Sequence, residues 1–160
     1  MKFEHLIAIN DPLNPLIDPL RRDQLWRGLV LRAEAPKLFV PHLDDCQLSE
    51  RSAGGVSRRL RYGELVIDDR VTFEPQRQIC YLVPAQNDIP ESRLTMTIEE
   101  PQPEMLFVRF EYDDGQPEAH DAANAMYNDF RCSAYEESDI DTIRIIRQLA
   151  ETGRFDFPLA

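Results

Sequence analysis

Two ionisable side chains, His5 and Arg58, share strand faces with apolar residues and are therefore the first candidates for chemistry. A charge buried without a partner is costly, so an inward-facing Arg58 needs an acidic partner or a ligand. Structural explanations compete with this one: Arg58 could reach solvent from a strand end or pair with Asp69, and His5 could simply be hydrogen-bonded within the fold. The apolar residues of these faces are Phe3, Ile7 and Ile9 beside His5, and Val56, Leu60 and Tyr62 beside Arg58.

Aromatic residues supply a second group of candidates. A tyrosine combines apolar area with a hydrogen-bonding tip, which suits an amphipathic ligand. Tyr62, Tyr81 and Tyr112 fall on strand faces that are predicted to point inward, although ordinary core packing explains the same pattern. No catalytic residue is assigned. The candidate cavity residues are His5, Trp26, Arg58, Tyr62, Tyr81, Met96, Phe110, Tyr112, Met126, Tyr127 and Phe130.

Several functional classes are disfavoured by what the sequence lacks. It contains no G-x-G-x-x-G, P-loop, G-x-S-x-G or H-E-x-x-H motif. The three histidines are too scattered to indicate a metal site, and no cofactor is expected. A net charge of −11 argues against nucleic acid or an anionic membrane as a partner. Three separated cysteines, no membrane-spanning apolar run and no signal-peptide pattern favour a cytoplasmic protein.

The longest helical pattern, residues 117–153, determines how these candidates would be positioned. Small and apolar residues recur at spacings of three and four, which predicts a stripe that faces the core. The stripe begins with alanines, so we expect a cavity beside the first half of the helix, closed where Phe130, Ile140 and Ile143 pack. Ser138–Asp139 resembles a new N-cap, where the helix is expected to bend or restart. The stripe comprises Ala119, Ala122, Met126, Phe130, Ala134, Ile140, Ile143 and Ala150.

Most of the remaining chain alternates between apolar and polar residues with period two, which predicts strands. The first strand covers residues 2–10. Two short helices follow, one from an N-cap at Asp18 to about Ala35 and one from Pro36 to Val40. Six more strands lie between about residues 44 and 113, joined by short turns and therefore antiparallel. Such a sheet covered by the long helix is an α+β architecture, and the 160 residues are expected to form one domain, 1–160.

This order of elements resembles the helix-grip fold of the START/Bet v 1-like (SRPBCC) superfamily. Two segments, QLWRGLVLRAEAPKLFVPHLDDCQL at 24–48 and SAYEESDIDTIRIIRQL at 133–149, are similar to the AtaL-like family within it. The resemblance covers the whole chain. It implies a seven-stranded antiparallel sheet wrapped around a long C-terminal helix, with two short helices between the first two strands. It also implies a cavity for an apolar or amphipathic molecule, with aromatase/cyclase-type enzymes as a minority theme.

Three functions are compatible with the sequence and the resemblance. The first is a protein that binds a hydrophobic or amphipathic small molecule between the sheet and the C-terminal helix. The alternative is an aromatase/cyclase-like enzyme of polyketide or other secondary metabolism, in which acid/base groups of the cavity polarise a carbonyl or move a proton. The third is a protein whose acidic C-terminal half contacts a partner. An exposed sheet edge could support a homodimer, but no sequence feature demands one.

Overall fold

The computed structural model describes residues 1–156, except for the side chain of Glu118. Within residues 1–156 there are seven strands, three α-helices and one short 3-10 helix, and the strands and helices follow each other in the predicted order, except that the long C-terminal helix is divided in two. The elements are β1 (Lys2–Asn10), α1 (Arg22–Glu34), the 3-10 helix (Pro36–Leu38), β2 (Asp45–Ser52), β3 (Gly55–Tyr62), β4 (Leu65–Glu74), β5 (Gln78–Val83), β6 (Ser92–Gln102), β7 (Met105–Asp113), α2 (Glu118–Ala123) and α3 (Ala125–Glu151).

All seven strands belong to one antiparallel sheet, in the order β1-β7-β6-β5-β4-β3-β2. Strands β2 to β7 form a meander of consecutive hairpins, and β1 crosses over to pair with β7. Strands β1 and β2 are therefore the two edges. The predicted α+β architecture, a seven-stranded antiparallel sheet with a long C-terminal helix and two short helices after the first strand, is confirmed.

The inner face of the sheet is the one that strand alternation predicts. Val56, Val71, Ile79 and Phe110 are fully buried, and they pack with residues of α1 and α3 in one hydrophobic core. Alternation identifies this face reliably because successive side chains of a strand point to opposite sides of the sheet. The helical residues of the core include Leu25, Leu29, Ile143 and Ile146.

Helices α1 and α3 pack against each other at Gly28. A β-carbon at this position would lie 2.5 Å from Cγ2 of Ile146, so only glycine permits the observed approach. One turn after Gly28 on α1 and one turn before Ile146 on α3, Nε of Arg32 lies 3.3 Å from Oγ1 of Thr142. The glycine contact thus directs the end of α1 towards the middle of α3.

Helix α1 begins at Arg22 rather than beside the predicted cap at Asp18. The cause is the side-chain amide of Asn10, which forms hydrogen bonds with both the N–H and the carbonyl of Leu20. The Leu20 N–H donates to Asn10 Oδ1 over 2.8 Å, and Asn10 Nδ2 donates to the Leu20 carbonyl over 2.6 Å. Both polar groups of Leu20 are thereby used outside a helix.

The predicted helix over 117–153 is divided at Asn124, between α2 and α3, and not at Ser138–Asp139. Helix α3 runs without interruption from Ala125 to Glu151. The expectation of a bend or restart at Ser138–Asp139 is wrong because Asp139 does not cap a helix end. Its carboxylate is completely buried and binds two side chains of the sheet.

The prediction that the apolar stripe of the long helix faces the core is wrong for the first half of the helix. Met126, Tyr127 and Phe130 are 77, 64 and 72% exposed, and Ala119, Ala122 and Ile140 are exposed as well. The residues that face the sheet are instead mostly polar, so apolar periodicity selected the opposite side of the helix. Ile143 does pack in the core, as expected. The inward-facing or partly buried residues of this half are Asn128, Arg131, Cys132, Tyr135, Asp139 and Thr142.

Candidate ligand-binding site

A cavity of about 360 Å³ lies between one end of the sheet and the first half of α3. It therefore lies beside the half of the helix where the sequence predicts it, although the alanines given as the reason are exposed. The room is left instead by the polar inner stripe of α3, which does not fill the space as bulky apolar residues would. The aromatic and apolar part of the lining comprises Tyr62, Tyr81, Val83, Leu94, Tyr112 and Tyr135.

Two larger depressions, of about 620 and 630 Å³, lie elsewhere on the described surface. One runs along α1 beside Phe155, close to the end of the described residues, and the other borders the proline-rich connection before α1. Neither is enclosed between the sheet and the first half of α3. Neither contains the buried cluster of arginine, tyrosine and aspartate side chains that surrounds the smaller cavity, which we therefore take as the candidate site.

Arg58 and Asp69 form a buried ion pair in the floor of this cavity. They are opposite each other on β3 and β4, with Nε 2.8 Å from Oδ1 and Nη2 2.6 Å from Oδ2. Nη1 of Arg58 also donates to the Ala33 carbonyl over 3.0 Å, which ties the end of α1 to the sheet. Burial alone would lower the pKa of Arg58, but the hydrogen-bonded carboxylate of Asp69 outweighs it and raises the pKa. The structural explanation for Arg58 is thus confirmed.

A second buried network joins β1, β7 and α3 behind the cavity wall. Nε2 of His5 lies 2.7 Å from Oδ2 of Asp139, and the Tyr112 hydroxyl donates to the same carboxylate at 2.8 and 2.7 Å. Burial raises the pKa of Asp139, although the bonds from Tyr112 and His5 oppose this shift. Burial and the neighbouring carboxylate also raise the pKa of Tyr112. This arrangement can hold a proton between three side chains.

The helical wall of the cavity is built from Tyr135 and Arg131. The rings of Tyr112 and Tyr135 stack with their centroids 4.0 Å apart and their planes 8° apart, so sheet and helix meet in an aromatic pair. Arg131 donates to Asp114 over 2.9 Å and to the Tyr135 hydroxyl over 3.2 Å. Both side chains are therefore fixed by neighbours, and they present a rigid surface to the cavity.

Arg32 and Tyr81 are partly or fully buried polar groups of the cavity that lack a carboxylate partner among the described residues. The guanidinium of Arg32 bonds Thr142 and stands 5.1 Å from the centre of the Tyr81 ring, while Arg58 stands 5.0 Å from the same ring. Among the described side chains, no carboxylate lies within 4.0 Å of the Arg32 nitrogens. The Tyr81 hydroxyl is buried and has no partner with hydrogen-bond geometry among the described residues.

The structure brings only some of the predicted site residues to the cavity. Arg58, Tyr62, Tyr81 and Tyr112 line it. His5 lies behind the wall and reaches the cavity only through Asp139 and Tyr112. The predictions for the other residues are not supported by their positions. Met96 and Phe110 are in the core, Trp26 packs edge-on against Phe73 beside another depression, and Met126, Tyr127 and Phe130 are exposed.

Sequence reasoning missed Arg32, Asp139, Arg131 and Tyr135. Arg32 is four residues after Gly28, on the side of α1 that meets α3, and this spacing was the available signal. Asp139 and Tyr135 lie on a polar stripe with spacings of three and four, which a search for apolar residues passes over. Among the described residues there is no cluster of three or more His, Cys, Asp or Glu that could hold a metal ion. No helix within residues 1–156 is long and apolar enough to cross a bilayer.

Comparison with known proteins gives a family and a fold. The model of the family described as acetylaranotin biosynthesis cluster protein L, AtaL, matches residues 7–153. No curated protein matches the sequence. The match to the family model thus covers nearly the whole chain.

Solved structures with the same fold are distant in sequence. The di-domain aromatase/cyclase StfQ from the steffimycin biosynthetic pathway aligns with a TM-score of 0.65 and 13% identity, over 96% of this chain and 51% of its own, so this chain spans about half of it. The Zhui aromatase/cyclase from Streptomyces sp. R1128 gives 0.60 and 17%, over 94 and 93%. Ara h 8.0201 gives 0.57 and 10%, over 92 and 98%. At these identities the similarity shows the fold alone.

Proposed function

The chain belongs to the AtaL family, and we propose that it binds a hydrophobic or amphipathic small molecule in the cavity between the sheet and the first half of α3. The observation that carries this proposal is the cavity itself. Its volume of about 360 Å³ falls within the range of small-molecule sites, which is roughly 300–1,000 Å³. Its walls combine charged side chains with aromatic and apolar ones, and the aromatic rings of Tyr112 and Tyr135 are held in place by stacking.

The arrangement of the polar groups favours binding over catalysis. Arg58 is paired with Asp69 through two hydrogen bonds and donates a third to the Ala33 carbonyl, and His5 is engaged with Asp139 behind the wall. A general acid or base must come within hydrogen-bond reach of the proton that it transfers. Both ionisable strand residues that the sequence offers, His5 and Arg58, are thus already paired with carboxylates inside the protein.

A binding measurement with a neutral aromatic probe tests the proposal. N-phenyl-1-naphthylamine should become fluorescent in the presence of the protein and saturate at one molecule per chain. Leu94→Trp should abolish this signal because the larger side chain fills the cavity that Leu94 lines. Leu16→Trp is the matched control, since Leu16 is exposed in the connection before α1. Equal binding by both variants, or no binding by the unmodified protein, would overturn the proposal.

A second candidate function is an aromatase/cyclase-like enzyme. One observation favours it: the Tyr112 hydroxyl at the cavity wall is hydrogen-bonded to the fully buried Asp139 and, through it, linked to His5. Proton movement along these three groups would connect the cavity to an internal base. The test is incubation with a linear poly-β-ketone thioester and analysis of the products by mass spectrometry. Cyclised product formed faster than in buffer, and more slowly by Tyr112→Phe, is expected for the enzyme; no acceleration contradicts it.

A further inference from the structure

Among the described residues, two of the buried or partly buried arginines around the cavity are paired with carboxylates, and the third, Arg32, is not. Arg58 has Asp69, and Arg131 has Asp114, each with hydrogen bonds between guanidinium and carboxylate. Arg32 donates to the Thr142 hydroxyl over 3.3 Å and interacts with the side chain of Tyr81, but no carboxylate of the described residues lies within 4.0 Å of its nitrogens. Burial would lower the pKa of Arg32, but the oxygen atoms of Tyr81, Tyr112 and Asp139 outweigh it and keep the group charged. A guanidinium next to the cavity therefore has donor capacity that the described side chains do not use.

The carboxylates around the cavity already accept hydrogen bonds from side chains other than Arg32. Asp69 accepts both bonds from Arg58, Asp114 accepts from Arg131, and Asp139 accepts from Tyr112. Internal rearrangement to satisfy Arg32 would break one of these buried interactions. Removing one partner of a buried ion pair is strongly unfavourable, so these carboxylates stay with their present partners and do not pair with Arg32.

The Tyr81 hydroxyl is a second unsatisfied group at the same place. Tyr81 is only 4% exposed and lines the cavity, and its hydroxyl has no hydrogen-bond partner among the described residues. A buried polar atom without a partner is unfavourable, and a ligand oxygen that bonds to it removes this cost. The guanidinium carbons of Arg32 and Arg58 stand 5.1 and 5.0 Å from the centre of the Tyr81 ring, so the surroundings of this ring are electropositive.

The position of Arg32 is fixed by the helix packing rather than by chance. It lies in the last turn of α1, one turn after the Gly28 contact with Ile146, and its Nε is held by Thr142. The planar guanidinium is thereby held in place before any ligand arrives. Pre-organised guanidinium groups suit planar oxyanions, which accept two parallel hydrogen bonds.

We infer that the ligand of this cavity carries a carboxylate or a similar oxyanion, which Arg32 and Tyr81 bind while the apolar body of the ligand packs against Leu94, Tyr112 and Tyr135. This inference rests on the proposed function and specifies its ligand class. It assigns recognition of the ligand's charged group to Arg32, a residue of α1. A purely apolar molecule would leave both Arg32 and Tyr81 unsatisfied.

The test uses two ligands of the same shape, 2-naphthoate and 2-naphthamide, each displacing bound N-phenyl-1-naphthylamine. We expect 2-naphthoate to bind at least about tenfold more tightly, because a hydrogen bond to a charged group contributes about 1.5–3 kcal/mol. Arg32→Gln should remove this preference without weakening the neutral probe. Arg32→Lys, which keeps the charge but loses the planar fork, should retain part of it, and Tyr81→Phe should reduce it several-fold.

The control is Arg93→Gln, which removes an exposed cation at the rim of the same cavity. It should leave the preference for 2-naphthoate largely unchanged. Equal binding of the two ligands by the unmodified protein, or an equal loss of preference in the Arg93 and Arg32 variants, would overturn the inference while the neutral probe still binds. Failure of the neutral probe to bind at all would instead overturn the proposed function. Thermal unfolding of each variant establishes that it is folded.

Discussion

Gly28 of α1 and Ile146 of α3 approach so closely that a β-carbon on Gly28 would stand 2.5 Å from Cγ2 of the isoleucine. This contact joins the core to the cavity. Leu25 and Leu29, next to Gly28 on α1, pack in the hydrophobic core. Arg32, one turn after Gly28, instead contacts Thr142 on the polar inner stripe of α3. The distance between the two helices therefore determines where the guanidinium of Arg32 lies.

Gly28→Ala is expected to destabilise the protein. The added methyl must displace the fully buried Ile146, and overpacking of this kind costs about 1–3 kcal/mol, of which the better helix propensity of alanine returns up to about 1 kcal/mol. Urea unfolding measures the difference. Gly54→Ala is the control, because its β-carbon would meet only Ser52 Oγ at 3.8 Å. Ile146→Ala removes all three atoms that the new methyl would meet, so combining it with Gly28→Ala should cost less than the sum of the two single losses. An unchanged midpoint for Gly28→Ala contradicts the prediction.

Asp69→Asn should lower the free energy of unfolding by about 3–5 kcal/mol, because it leaves the buried guanidinium of Arg58 without its counter-charge. The neighbouring pair of Arg59 and Asp68 provides a matched control on the same two strands. Its bonds of 2.8 and 3.2 Å have a similar geometry but are exposed, so Asp68→Asn should leave the unfolding midpoint almost unchanged. Similar losses from both substitutions would show that burial of the pair is not what matters.

Asp139 should make stability decrease with rising pH. The folded protein holds its proton more tightly than the unfolded chain, in which the pKa is near 3.8. The resulting stabilisation is therefore complete below pH 3.8 and is lost as the pH rises through the raised pKa of the folded state. In Asp139→Asn, melting temperature should depend less on pH across this window. Asp141→Asn, which changes an exposed carboxylate of the same helix, should retain the dependence of the unmodified protein.

Substitution of the exposed apolar residues of α3 should have little effect on folding. Met126→Ser and Phe130→Ser change side chains that face solvent, so each should alter the free energy of unfolding by less than about 0.5 kcal/mol. Ile143→Ala, on the inner face of the same helix, should cost about 2–5 kcal/mol. Chemical denaturation followed by circular dichroism compares the three. A large loss for Phe130→Ser would mean that the first half of α3 packs through its apolar side after all.

The sheet could be predicted from the sequence because one face of it packs in the hydrophobic core, so apolar and polar residues alternate along the strands. Residues such as Val56, Leu60 and Val71 alternate with polar ones, and the pairing of Arg58 with Asp69 follows from the same alternation on adjacent strands. The inner face of α3 could not be found in this way. Its first half faces a polar cavity, so Tyr135 and Asp139 take inward positions that apolar residues normally occupy.

The role of Arg32 was equally inaccessible from the sequence. A charged residue in the last turn of a helix is usually solvated and interacts favourably with the helix dipole. What distinguishes this one is the close approach of α1 and α3 at Gly28, which depends on contacts more than a hundred positions apart in the chain. The spacing of residues along α1 alone does not show which part of α3 it packs against.

The pairing of β1 with β7 has a consequence for the order in which the protein folds. Lys2 lies opposite Asp113, whereas β2 to β7 each pair with the strand that immediately precedes or follows them. During synthesis the meander can grow hairpin by hairpin, but the first strand to leave the ribosome must wait for the last before it acquires a partner. Closing a loop of this length is slow compared with forming a local hairpin. We therefore expect the edge that β1 completes, together with His5 and its bond to Asp139, to be assembled late in folding.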